Sequence, residues 1–150
     1  MSLDTKDGLL RADSITGSLF SQWLHGGSAG GLKAEVSMNV SPAATVFSRF
    51  KDFVFDDQSR QPSRSSIQVF SGQLDPGGRA SIRSSANLDD APGMMNATFV
   101  TRVYESGGSF STEYHTERIS PYSSYAGMRI PPGDAARGML LTDIDHRMEI

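Results

Sequence analysis

Leu32, Ala34, Val36, Met38 and Val40 alternate with Lys33, Glu35, Ser37, Asn39 and Ser41. A period of two with apolar residues on one side is the pattern of a strand with one buried and one wet face. This is the clearest of seven stretches that read as strands; no stretch of comparable quality reads as helix. Pro42 stops it, because a proline cannot donate to the ladder. Upstream, Ile15–Leu24 offers Ile15, Leu19 and Trp23 on one face and Phe20 and Leu24 on the other. The turn His25-Gly26-Gly27-Ser28-Ala29-Gly30-Gly31 ends that segment.

Downstream, Phe47, Phe50, Phe53 and Phe55 follow one another closely. Phe53–Phe55 reads as a strand and the part before it as a crossing loop packed by its aromatics. Asp56–Ser66 is polar, contains Pro62 and reads as a long exposed loop. Ile67–Leu74 and Arg79–Ser84 are two strands around Asp75-Pro76-Gly77-Gly78, a strong turn sequence. Asn87–Gly93 is a further loop. Met95, Ala97, Phe99, Thr101 and Val103 then alternate with polar neighbours. Glu105-Ser106-Gly107-Gly108 returns the chain through Phe110, Thr112, Tyr114 and Thr116 as a hairpin. Pro121 ends it and Tyr122–Gly127 exits. The pattern predicts an all-β sandwich or barrel of short strands.

Both ends differ in character. Met1-Ser2-Leu3 resembles an appended start, and Asp4–Asp13 reads as a polar lead-in, so residues 1–13 are set apart from a domain over 14–126. After Pro131-Pro132-Gly133, Ala135–Leu141 suits one helical turn or a short strand. Ile144–Ile150 looks like the beginning of another strand. Residues 127–150 are therefore read as a linker and the start of a following domain. A strand without its sheet exposes unpaired backbone groups, so a partner is expected for it, in this molecule or in a strand-mediated dimer.

Composition narrows the possibilities. A chain of 150 residues is a usual size for one domain, and folding at that size buries roughly 70% of the unfolded surface. Eight Phe, four Tyr and one Trp supply bulky core material. A net charge of −3 leaves no electrostatic footprint for nucleic acid. With no cysteine, disulfides, cysteine zinc sites and a thiol nucleophile are excluded. No apolar run reaches the roughly 20 residues of a membrane span.

No catalytic constellation is visible, and each candidate has a plainer reading. Glu113, His115 and Glu117 share one face of a strand and permit metal ligation by spacing. They read instead as a solvated face opposite Phe110, Tyr114 and Thr116. His25 and His146 lack a serine in a nucleophile-elbow context and read as a turn and a strand histidine. Gly26–Gly31 is followed by a strand, whereas a phosphate loop needs a helix. Asp56-Asp57 and Asp89-Asp90 offer oxygen ligands for calcium but lack the spacing of a dedicated loop. Asn96-Ala97-Thr98 matches a glycosylation acceptor inside a strand and reads as chance. The basic Ser59–Ser66 loop reads as an exposed protease target. No catalytic, cofactor or metal residue is assigned. Trp23, Phe47 and the Phe50–Phe55 cluster are candidates for core and for domain joints.

Four phrases together resemble the macroglobulin-like domains of bacterial α2-macroglobulins. They are Ile15-Thr-Gly-Ser-Leu-Phe-Ser-Gln-Trp-Leu-His-Gly-Gly-Ser-Ala-Gly-Gly-Leu-Lys-Ala-Glu-Val36; Phe47-Ser-Arg-Phe-Lys-Asp-Phe-Val-Phe-Asp-Asp57; Gly72-Gln-Leu-Asp-Pro-Gly-Gly-Arg-Ala80; and Arg102-Val-Tyr-Glu-Ser-Gly-Gly-Ser-Phe110. Their order and spacing are similar to a domain from the middle of those long chains, over Ser14–Met128. Tyr125-Ala-Gly-Met-Arg-Ile-Pro-Pro-Gly133 is similar to the join to the next domain.

The resemblance implies an immunoglobulin-like antiparallel sandwich of about seven strands, one brick of a protease trap. Its partners would be neighbouring domains of the same chain and, through the parent, target proteases. By the same resemblance the parent would be periplasmic or in the cell envelope, lipid-anchored as a lipoprotein. Many members capture the protease through a Cys–Gln thioester; with no cysteine, no family functional residue can be carried onto this chain. The alternative is an immunoglobulin-like carbohydrate-binding or adhesion module of the cell surface, because fold does not decide function.

Overall fold

The alternating segments at Lys33–Pro42 and Met95–Tyr104 lie side by side, antiparallel, with Val36 opposite Thr101 and Met38 opposite Phe99. Their apolar sets therefore share one face, on which Ala34, Val36, Met38, Met95, Ala97, Phe99 and Val103 are buried and Val40 is partly so. Around this pair the computed structural model, which describes residues 1–61, 66–142 and 144–150, assembles two sheets. Its strands are β1 (Ser2–Leu3), β2 (Leu10–Arg11), β3 (Ile15–Phe20), β4 (Lys33–Pro42), β5 (Ile67–Gln73), β6 (Arg79–Ser84), β7 (Met95–Tyr104) and β8 (Phe110–Ser120). One sheet has the order β1-β3-β6 and the other β2-β8-β7-β4-β5. Every pair is antiparallel except β2 with β8. Ile15, Leu19 and Ile82 from the first sheet meet Val36, Met38, Met95, Phe99 and Ile119 from the second in one core. The architecture is an all-β, immunoglobulin-like sandwich, as the pattern and the resemblance led one to expect.

Six of the seven expected strands are present. The exception is Phe53–Phe55, where only Val54 pairs, through reciprocal bonds of 2.9 Å with Met128. β3 stops at Phe20 rather than Leu24 because the chain is captured from two sides there. The Ser21 amide donates to the Gly78 carbonyl, and the Trp23 amide closes a turn onto Gly27. Trp23 ends half-buried at the margin of the core, while Leu24 is fully exposed.

The expected polar lead-in holds structural residues. Ser2–Leu3 pairs with β3, and Leu10 is 0% exposed beside Ile119 on the parallel pairing of β2 and β8. A single buried leucine and an alanine among charged neighbours carry no periodic signal. The turn at Asp75–Gly78 forms as predicted, with the Gly78 amide donating to the Asp75 carbonyl and Gly78 at φ 75°. Its two flanking strands nevertheless part: β5 pairs with β4, and β6 pairs with β3 in the opposite sheet. This turn is the arch that carries the chain from one layer to the other.

Candidate functional site

β8 places the polar triple on an unexpected side. Residues directly opposite in an antiparallel pair point to the same face, and Thr101 faces Glu113, Phe99 faces His115 and Ala97 faces Glu117. The three polar side chains are thus on the core side of the sheet. Phe110 and Tyr114 are on the outer side, 55% and 70% exposed, which reverses the orientation expected from the pattern. The triple does not converge. His115 Nε2 lies 2.9 Å from Glu117 Oε1, whereas Glu113 instead lies 3.5 Å from the amino group of Met1. From Phe110 to Arg118 no described strand covers the other edge of β8. Inward-pointing charges on such an edge disfavour the addition of another strand.

The two acid loops meet, but around a cation of the protein. The Asp56 carboxylate accepts the Thr45 amide at 3.1 and 3.2 Å, and the Thr45 hydroxyl accepts the Met94 amide at 2.7 Å. Gly93 sits against both side chains, and a Cβ there would collide with Asp56 and Thr45. Asp57 accepts the Ser59 hydroxyl and amide and pairs with Arg60. The Ser59 bonds, ahead of the guanidinium, hold its carboxyl below the usual carboxylate range. Arg60 also donates to the Asp89 carbonyl at 2.6 Å, beside the Tyr122 hydroxyl, which lies 2.7 Å from the Ala91 carbonyl. Among the described residues no group of three or more His, Asp or Glu is gathered as a metal site would require.

The remaining candidates are structural in their contacts. His25 stacks on Trp23 with ring centroids 6.3 Å apart. The glycine turn packs against the Asp75–Gly78 arch: Ser28 Oγ donates to the Pro76 carbonyl, and Gly30 fits where a Cβ would strike Pro76. His146 Nε2 lies 2.9 Å from the Leu141 carbonyl. Asn96 lies within β7, half-buried. The middle of the Ser59–Ser66 loop, with Pro62, and Asp143 lie outside the described residues.

Two further groupings stand out; the first had no sequence signal, and the second falls on the Phe47 and Phe50–Phe55 aromatics expected as core or domain joint. On the outer face of the large sheet, Tyr104 donates to Glu35 at 2.7 Å and Lys33 pairs with Glu35 at 2.7 Å. The Lys33 bond, then the Tyr104 bond, lowers the Glu35 carboxyl, and the same carboxylate raises the Tyr104 phenol. Only strand register brings these residues together. The second grouping is aromatic. Phe47, Phe50, Phe53 and Phe55 form a ring cluster joined by Tyr125, with Phe47 and Phe55 centroids 4.8 Å apart. It stands outside the main core. Gly127 is required beside it, since a Cβ there would enter the Phe55 ring.

Comparison with known proteins agrees with this architecture. Among curated proteins, none matches the chain. The native conformation of Escherichia coli α2-macroglobulin superposes with a TM-score of 0.63 at 21% identity over 85% of this chain and 8% of that one. The trypsin-activated Escherichia coli protein gives 0.63 at 21% identity, over 85% of this chain and 9% of that one. Salmonella α2-macroglobulin reacted with methylamine gives 0.58 at 22% identity, over 85% and 8%. At such identities these likenesses speak for the fold, and the chain spans under a tenth of the length of those proteins. The sequence profile described as the bacterial α2-macroglobulin MG5 domain matches residues 1–121. The chain belongs to the family of bacterial α2-macroglobulin MG5 domains.

Proposed function

We propose that this chain is a non-catalytic structural domain of a bacterial α2-macroglobulin-like protease inhibitor. The observation that carries the reading is the MG5 match over residues 1–121. The disposition of the polar groups supports it: Asp56, Asp57, Arg60 and Tyr122 are spent on holding loops. Rigid sheets would hold neighbouring domains at fixed angles, and residues 127–150 would be the linker and the start of the next one. The parent acts in the periplasm or envelope, lipid-anchored, and its partners are target proteases.

The test is a protease-capture assay on the parent protein. An enclosed protease should lose activity toward a protein substrate and keep it toward a small peptide. Unchanged activity toward both substrates would overturn the reading. A second reading, a glycan-binding module, is favoured by one observation, the outer-face row of Tyr104 and Phe110 with centroids 5.6 Å apart. A calorimetric titration of the chain with oligosaccharides separates the two, and micromolar binding would favour the second.

A further inference from the structure

We propose that the open edge of β8 pairs with β8 of a second copy of this chain, antiparallel and centred on Thr112. The two large sheets then join into one across a two-fold axis, the commonest symmetry of self-association.

The edge has a defined polarity. β8 spans Phe110–Ser120, and β2 pairs with it only at Ile119 and Ser120. Across the hairpin the Glu105 amide donates to the Ser109 carbonyl at 2.8 Å. In an antiparallel ladder the backbone groups of alternate residues turn to the same side. Ser111, Glu113, His115 and Glu117 therefore bond toward β7, while Phe110, Thr112, Tyr114 and Thr116 turn amide and carbonyl to the open side. Ser120 has the same parity, and its carbonyl accepts the Ala12 amide on that side. β5 and β6 also border their sheets, but they are shorter, and Asp75 caps both backbone groups of Arg79 on β6. A long uncovered edge is a template for another strand.

Self-complementarity selects a second copy as that strand. With Thr112 opposite Thr112, Phe110 faces the second copy's Tyr114 and Tyr114 faces its Phe110. Aromatic and threonine pairs of this kind stabilise a sheet when directly opposite. Phe110 and Tyr114 are the exposed aromatics of the outer face, at 55% and 70%, and Phe110 is already steadied by Tyr104 at 5.6 Å. On the inner face, Glu113 comes opposite the second copy's Ser111, whose hydroxyl can donate to it, and His115 comes opposite Ser109. Inward charges defend an edge against strands that leave them unanswered; β8 itself answers them.

The neighbouring registers fail. Glu113 opposite Glu113 would set like charges face to face, which is destabilising. Tyr114 opposite Tyr114 would place the second copy's Ser109 beside Ile119, a position that Leu10 already holds. Centred on Thr112, the ladder instead ends with the second copy's hairpin turn beside Thr116. Gly107 and Gly108 in that turn carry no side chain and have open space around them, so the turn fits short of β2.

Sedimentation equilibrium and single-cysteine cross-linking of the 150-residue chain test this; the chain has no cysteine of its own. Sedimentation should show a dimer whose share grows with concentration. Thr112→Cys should oxidise in air to a disulfide-linked dimer, because Cα atoms of a hydrogen-bonded pair lie about 5.5 Å apart, within disulfide reach. Tyr114→Cys should link to itself far more slowly, whereas Phe110→Cys mixed with Tyr114→Cys should link readily. Thr112→Pro removes a donor only from the open edge. It should weaken the dimer roughly tenfold or more, while β7 amides keep their protection from hydrogen exchange. A chain that stays monomeric at every concentration would overturn the proposal. So would Tyr114→Cys linking faster than Thr112→Cys, or a dimer that Thr112→Pro leaves unchanged.

Discussion

β7 and β8 are two arms of one hairpin, with the same alternation of apolar and polar residues, yet they meet opposite fates. β7 lies between β8 and β4, and its core-side residues Met95, Ala97, Phe99, Thr101 and Val103 are all buried. β8 buries nothing before Ile119. Its first half faces a layer reduced to Met1, whose amine reaches Glu113 and whose sulfur accepts the Thr101 hydroxyl. Burial is thus a property of a strand's place in the two-layer stack. An alternating pattern states which residues share a face and leaves open which face is inward, because a one-residue shift exchanges the two.

The sharpest way to break this comparison is to truncate a large residue on each arm. Phe99→Ala should cost about 3–5 kcal/mol in denaturant unfolding, since it empties a fully enclosed site. A loss below about 1 kcal/mol there would mean that β7 is not the core strand. The turn joining the arms comes next. Gly108 has φ 86° with open space around it, so Gly108→Ala should cost about 1–2 kcal/mol through backbone strain alone. The matched truncation on the outer arm, Tyr114→Ala, should stay within about 0.5 kcal/mol. Equal losses at Phe99 and Tyr114 would remove the asymmetry altogether.

The smallest expected effect is electrostatic and sits on the outer side of β7. Glu35 accepts from Lys33 and Tyr104, and its folded carboxyl titrates below the usual range. A group lowered on folding contributes stability above its unfolded pKa, and that contribution fades as pH falls through the folded value. Melting temperatures should therefore decline on acidification, and Glu35→Gln should flatten that acid decline slightly. A variant with an unchanged acid profile would show that the exposed network contributes nothing measurable, as many surface pairs do.

Several features were legible from residue order alone because they are local. The alternation of Lys33–Ser41, the hairpin at Glu105–Gly108 and the turn at Asp75–Gly78 each depend on residues within a few positions of one another. The absence of cysteine removed thiol chemistry outright, and the four family phrases identified the fold, which the MG5 match supports. Other features needed distant chain segments to meet. Leu10 is core only because it lies beside Ile119, and Phe53–Phe55 is not a full strand because its partner segment pairs at Met128 alone.

The sequence by itself determined the class of fold and most strand positions, since both follow from composition and short-range periodicity. Tertiary structure alone decided that β5 and β6 part into different sheets, that the Glu113 face turns inward, and that the phenylalanines form a cluster outside the core. The reason is physical. Turn chemistry and alternation are paid locally, whereas the layer a strand joins and the face it buries depend on which distant strands compete for its backbone bonds.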